Sequence, residues 1–233
     1  MFPYSSEIEI SKDKKVSWQT VIQEIGPILT RERKARIDHV IEGRNFNHTI
    51  VLENLYDRGN GSAVMRSAEA FGFQNFDVIE INEKFKASNR VASGAEKWLN
   101  IRKWQDTKSC VQKLKHEGYR ICVTSLEAST PLQEVDWSIP SALVLGNEKE
   151  GVSKEMLEMS DVRVIIPMAG FVQSFNISVA GALSLFHISE HNKKNKHQLK
   201  QLSDEEKMIL KAHYYMRTLD SAKDILLSKL ITL

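Results

Sequence analysis

Apolar positions follow a helical period at both ends of the chain and a strand, turn, helix rhythm between them. Residues 1–16 are polar with no sustained period and are read as irregular. Trp18, Val21, Ile22, Ile25 and Leu29 then recur at helical spacing. Thr30 can cap a second helix, which carries Ile37, Val40 and Ile41 among basic residues and ends at Gly43. From residue 48 short apolar runs alternate with amphipathic stretches. Residues 49–55 (TIVLENL) predict a buried strand, and Asn60 can cap a helix running through Phe71 and closed by Gly72. A strand over 76–81, a polar, basic loop over 82–97, a helix over 106–117 and a strand over 119–125 follow. Residues 141–145 (SALVL) and 162–166 (VRVII) are short apolar strands, separated by a small helix from Ser153. Asn176 can cap a long helix reaching about His191.

A polar linker over 192–202 leads to a last helical segment. Its capping box is Ser203-x-x-Glu206, and Leu210, Leu219, Ile225, Leu226 and Leu230 make its apolar stripe. Alternating strands and helices imply an α/β fold with a mostly parallel sheet over 45–192. Helical extensions are expected at 1–44 and 193–233.

Composition adds little to this picture, and charge adds more. At 42% hydrophobic and 27% charged residues the chain has the make-up of a soluble globular protein. No signal-peptide pattern opens it and no apolar run has the length of a membrane span, so the expected location is the cytoplasm. Cys110 and Cys122 stand in a predicted helix and a predicted strand without metal-ligand spacing. They read as small buried hydrophobes in a reducing compartment. The net charge is only +2, but basic residues cluster. Arg31, Arg33, Lys34, Arg36 and Arg44 form one group. Lys84, Lys86, Arg90, Lys97, Arg102 and Lys103 form another, and Lys193, Lys194 and Lys196 a third. Clusters that share a face can neutralise phosphates; taken singly, each reads first as a solvated surface.

Three patterns carry candidate chemistry. Gly59-Asn60-Gly61-Ser62-Ala63-Val64, with Glu80 at the end of the next strand, has the context of a dinucleotide fingerprint, which would make a nicotinamide-dependent oxidoreductase. Val64 in place of the third glycine argues against it, because its side chain would hold the helix off the strand. His187-Ile-Ser-Glu190-His191 fits an inverted zinc-protease signature. It lies in the last turn of a helix, where histidine and lysine answer the helix dipole, and no third ligand stands out, so no metal is expected. The third pattern is distributed. Gly146-Asn147-Glu148-Lys149-Glu150-Gly151 follows one strand. Pro167 to Asn176 follows the next and leads into a helix of small residues (Ser178, Ala180, Gly181, Ala182, Ser184). Glycine-bearing loops at the carboxyl ends of parallel strands are where such sheets bind ligands.

These loops resemble a known family. Asn60-x5-Arg66 within NGSAVMRSAEAFGF, LVLGNEKEGVS at 143–153 and IPMAGFVQSFNISVAGAL at 166–183 look like the three motifs of the SPOUT RNA ribose 2'-O-methyltransferases. Ser93-Gly-Ala-Glu-Lys-Trp-Leu99 is similar to the TrmH (SpoU) branch, and the resemblance runs in order over about residues 45–190. It implies a C-terminal trefoil knot, S-adenosylmethionine bound by the knot loops, and a homodimer with the active site at its interface. By the same resemblance Thr124, Gly146, Ile166, Met168 and Phe175 line the cofactor pocket, while Arg66, Asn60, Glu148, Ser174 and Asn176 are the catalytic positions.

The implied partner is tRNA rather than DNA or a membrane. Extensions at both ends are similar to enzymes that methylate guanosine 18 of the D-loop. Another tRNA or rRNA ribose, or a non-catalytic RNA-binding module, is the alternative. Arg66 is expected to clamp a phosphate, since a guanidinium with a pKa above about 12 is a poor base. Asn60 either fixes that arginine or caps its helix, and Glu148 orients Arg66 or a backbone amide.

Overall fold

The computed structural model describes residues 1–81, 85–127 and 130–231. They form two compact units, Met1 with Asn45–Lys200, and Phe2–Arg44 with the chain from Gln201 onward. Lys84 and the side chain of Leu230 lie outside the described residues. In the terminal unit, strands β1 (Glu7–Ser11) and β2 (Lys14–Ser17) precede helices α1 (Trp18–Ile25) and α2 (Arg31–Glu42). The central unit runs β3 (Asn45–Glu53), α3 (Arg58–Ala70), β4 (Phe73–Ile79), α4 (Asn89–Ala92), β5 (Asn100–Trp104) and α5 (Thr107–His116). It continues through β6 (Arg120–Thr124), β7 (Thr130–Pro131), β8 (Ser141–Leu145), α6 (Lys154–Met159), β9 (Val162–Ile165) and α7 (Ile177–Lys194). Helices α8 (Asp204–Thr218) and α9 (Ala222–Ile231) complete the terminal unit. No helix among the described residues is long and apolar enough to cross a membrane.

The sheet of the central unit explains its apolar runs. Its order is β5-β4-β3-β8-β6-β9-β7, and every pairing is parallel. Along β3 the side chains alternate between two cores. Ile50 and Leu52 pack with Val64, Met65, Leu143, Leu145, Leu185 and Ile188, on the side of α3 and α7. Val51 packs with Cys110, Val111, Leu114, Val144 and Met156, on the side of α5 and α6. A strand covered on both faces reads as continuously hydrophobic, as TIVL does. Both cysteines are buried thiols.

Caps set several helix starts as expected. Thr30, Asn176 and Ser203 each accept a backbone N–H from the first turn, and Asp106 and Ser153, at the starts of two further expected helices, do the same. Ser203 and Glu206 form the reciprocal box.

Four readings need correction. The first is the opening segment, where β1 and β2 pair antiparallel and bury Ile8, Ile10 and Val16. Their alternation spans too few residues to register as a period. The second is the start of α3, which is capped by Asp57 and not Asn60, because the Asp57 carboxylate accepts Gly59 N–H at 2.6 Å. The third is Gly59-Asn60-Gly61, which is therefore helix and not a phosphate-binding turn. A Cβ on Gly61 would lie 2.6 Å from the Phe85 ring, so this glycine serves packing. Val64 meets a glycine across the helix pair: a Cβ on Gly181 of α7 would stand 3.0 Å from its Cγ2. The fourth is the polar stretch 82–97, which holds the short α4 and leads directly into β5, a strand whose half-exposed pattern hid it.

The end of β3 away from the loops holds a buried histidine. His48 Nε2 lies 3.1 Å from the Trp137 carbonyl, which can only accept, so Nε2 carries the proton. Nδ1 is left to accept from the amides of Asn45 and Asn192, at 3.2 and 3.3 Å. Burial lowers its pKa from 6.5 to about 3, against a smaller opposing effect of the Trp137 hydrogen bond. The unfolded chain therefore takes up a proton near pH 6.5 that the folded chain refuses down to about pH 3. This group removes stability as the pH falls through that window, by about 2 kcal/mol at pH 5. Urea unfolding at pH 7.5 and pH 5 is expected to show a shallower loss for His48→Gln than for the natural chain. Equal losses would refute a neutral His48.

Candidate functional site

A cavity of about 680 Å³ opens at the carboxyl ends of β6, β8 and β9. Thr124 and its following loop form one side, residues 145–152 another, and residues 164–180 the third. The volume lies in the range of small-ligand sites, about 300–1,000 Å³. Leu145, Leu157, Ile166, Met168, Phe175 and Ile177 supply apolar wall. Of the charged residues on the wall, Glu127, Glu148 and Glu150 outnumber Lys149. A flat apolar ligand part and a cationic part both suit such a lining.

The loop after β8 is folded on itself by backbone and one side chain. Asn147 and Gly151 exchange N–H···O bonds of 2.7 and 2.9 Å. The Asn147 side chain accepts Lys149 N–H at 2.8 Å and donates to the Asn54 carbonyl at 2.8 Å. Gly151 turns the chain at φ +72°. Gly146 is a different case: a Cβ there would sit 2.3 Å from the Gly151 carbonyl carbon. The glycine admits the returning loop. Beneath it, the buried Glu53 carboxyl accepts Ser153 N–H and Oγ–H, each at 2.8 Å.

At the rim, segments far apart in sequence meet in one polar chain. The Glu148 carboxylate accepts from the backbone of Tyr56 (3.1 Å) and Asp57 (3.3 Å) and from Asn60 Nδ2 (3.1 Å). Asn60 Oδ1 accepts from Asn176 Nδ2 at 3.2 Å. Asn176 Oδ1 in turn caps α7 by accepting Ser178 N–H at 2.8 Å. Of the two tasks open to Glu148, the backbone amides are the one seen.

Eight of the ten singled-out residues therefore line the cavity: Thr124, Gly146, Glu148, Ile166, Met168, Ser174, Phe175 and Asn176. Asn60 joins them through its two hydrogen bonds. The Thr124 hydroxyl is engaged with the Val144 carbonyl at 2.9 Å. Arg66 is the exception. It is exposed on α3, off the cavity wall, and has no side-chain partner among the described residues. Among those residues no group of three or more His, Cys, Asp or Glu is placed to hold a metal. Glu190 pairs instead with Lys193 at 2.7 Å.

Sequence reasoning passed over Glu53, Asn54 and Asn147. The available signal was an acid and an amide closing an otherwise apolar strand, which a buried sheet tolerates only with dedicated partners.

The family model described as SpoU rRNA Methylase family matches residues 47–186. A protein of Borreliella burgdorferi called tRNA (guanosine(18)-2'-O)-methyltransferase is 35% identical over 199 residues, 84% of this chain and 91% of its own. The solved TrmH/SpoU tRNA modifying enzyme of A. aeolicus superposes with a TM-score of 0.71 at 30% identity, over 78% of this chain and 95% of that one. AviRb, a SpoU methyltransferase of Streptomyces viridochromogenes solved with the cofactor AdoMet, shares the fold. Its TM-score is 0.58 at 20% identity, over 66% of this chain and 62% of that one.

The glycine geometry gives a direct test. Gly146→Ala forces a methyl into backbone and is expected to cost about 1–3 kcal/mol in urea unfolding. Gly170→Ala, with no atom within 4 Å of the added Cβ, is expected to shift stability by less than about 0.5 kcal/mol. Equal effects at the two positions would remove the assigned role of Gly146.

Proposed function

Because the chain belongs to the SpoU rRNA Methylase family, we propose that it transfers a methyl group from S-adenosylmethionine to a ribose 2'-hydroxyl of tRNA, at guanosine 18. The observation that carries this reading is the Glu148–Asn60–Asn176 chain, which draws the three motif segments together on the rim of the cavity. Support for the nucleotide comes from the relative's name and from the high mutual coverage of the two chains. The oxidoreductase reading has lost its basis, since its glycines lie inside α3.

When bound, S-adenosylmethionine supplies a methyl group already activated by its positive sulfur. Thr124, Gly146, Ile166, Met168 and Phe175 are the residues that would hold it, and the acid-rich wall with apolar panels fits a cation bearing a flat base. What remains for the protein is alignment and removal of one proton. Arg66 grips the phosphate beside the acceptor ribose with its planar fork. The hydroxyl proton passes to a phosphate oxygen so held, or to the arginine in the neutral, deprotonated form that partial loss of its hydration favours. Asn60, Glu148 and Asn176 set the spacing of the loops, and Ser174 holds the cofactor loop from the rim.

Arg66 lies outside its own protomer's cavity, which supports a homodimer with the site at the interface. The exposed Val179, Leu183 and Phe186 of α7 offer the apolar face for it. In the same reading the loops after β8 and β9 form a trefoil knot, the basic terminal unit grips tRNA, and the chain works in the cytoplasm.

Methyl transfer to unmodified tRNA, followed by mapping of the modified ribose, tests the function. Methylation of a ribose other than guanosine 18 would refute the nucleotide, and no incorporation would leave a non-catalytic RNA-binding module. Arg66→Ala is expected to stay folded within about 0.5 kcal/mol while single-turnover transfer falls by about 10²- to 10⁴-fold. Arg66→Lys should rescue poorly, because an ammonium lacks the planar fork. Near-normal transfer by Arg66→Ala would end the clamp. For the dimer, Leu183→Glu is expected to convert a sedimenting dimer to monomer and to abolish transfer with it; an active monomer would contradict the shared site.

A further inference from the structure

Tyr56 is 62% exposed, in a corner where its backbone is fixed. Its N–H donates to the Glu148 carboxylate at 3.1 Å, and Asp57 N–H donates to the same group at 3.3 Å. Lys149, next to Glu148 in sequence, stands with its ammonium 4.3 Å from the centre of the Tyr56 ring. The neighbouring Leu55 is buried, so the tyrosine is the point at which the chain turns an aromatic ring outward before α3 begins. The ring has no other aromatic or polar partner among the described residues. An exposed ring held by a pinned backbone and a cation gives nothing to the core.

Its position suggests what it gives instead. Lys149 and Glu148 line the cavity, and Tyr56 does not. The ring is thus joined to the cavity wall through Lys149 but lies outside that wall, open to solvent. We infer that Tyr56 is a stacking platform for a nucleobase of the RNA substrate, with Lys149 presenting its charge to the adjoining phosphate. This rests on the methyl-transfer reading above. Every base has a π-face, and an aromatic ring beside a cation is the combination that single-stranded nucleic acid recognises. The ring would hold the nucleotide while other residues align its ribose, which makes Tyr56 a positioning residue.

The test is binding of fluorescently labelled, unmodified tRNA to the full chain, measured by anisotropy alongside methyl transfer and calorimetry with S-adenosylmethionine. Tyr56→Ala and Tyr56→Leu are expected to weaken tRNA binding by on the order of 5- to 150-fold, the range of one base stacked on an aromatic ring. Tyr56→Phe should restore it, and cofactor affinity and melting temperature should stay unchanged in all three. Unchanged tRNA affinity in Tyr56→Ala overturns the inference, as does a fall in Tyr56→Phe, which would assign the effect to the hydroxyl. A parallel fall in cofactor affinity also overturns it, by making Tyr56 part of the cofactor loop. A natural chain that binds tRNA but transfers no methyl group sinks the function while the binding comparison still decides the ring. A natural chain that binds no tRNA overturns both.

Discussion

A buried carboxyl group at the end of the central strand is the constraint on which the site depends. Glu53 is 2% exposed, and its oxygens are satisfied by Thr107 Oγ at 2.7 Å and by the amide and hydroxyl of Ser153. Leaving such a group without partners costs about 1–3 kcal/mol or more. β3 and β8 are parallel neighbours, so the loop leaving β8 must return to the end of β3 to supply Ser153. The Asn54 carbonyl accepts from Asn147 and secures the same loop at its start. Tied at both ends, the loop carries Glu148 onto the backbone of residues 56–57 and onto Asn60. The rim of the cavity follows from the satisfaction of one buried group.

The division between packing and chemistry runs along the same lines. Glycine stands where two backbones, or a helix and a ring, must approach: Gly146 against residues 151–152 and Gly61 against Phe85. Polar side chains stand where loops must be held in register. Residues with neither task, Arg66 and Tyr56, are exposed beside the cavity. An exposed arginine or tyrosine is ordinary. Two of them flanking loops that are otherwise fully committed to one another are the groups that the proposed RNA substrate and second protomer would meet.

Helix starts were legible because their signals are local. A serine, threonine or asparagine before an apolar period captures an N–H two or three residues on, whatever the rest of the chain does. β3, β8 and β9 were legible because strands covered on both faces are apolar throughout. The failures have separate causes. Asn60 and Asp57 are both good caps within a few residues, and the choice fell to Asp57 because Asn60 is recruited by Glu148, 88 positions away. β5 is an edge strand whose polar residues, Arg102 and Lys103, are held by ion pairs to Asp77 and Glu80. The short hairpin β1–β2 was hidden by its length.

By itself the sequence determined the α/β alternation, several helix caps and most of the residues that come to line the cavity, because apolar period, capping chemistry and motif spacing are properties of short stretches. Only the tertiary structure decided what those residues do to one another. It placed Gly59-Asn60-Gly61 inside the first turns of α3, set Gly146 against the returning backbone of Gly151, and engaged the Thr124 hydroxyl with the Val144 carbonyl. It also left Arg66 outside the cavity it was expected to serve. The physical reason is that a buried donor, acceptor or van der Waals gap is filled by whichever group the parallel sheet brings alongside. That group comes from a strand or loop tens of residues away, and no local pattern records it.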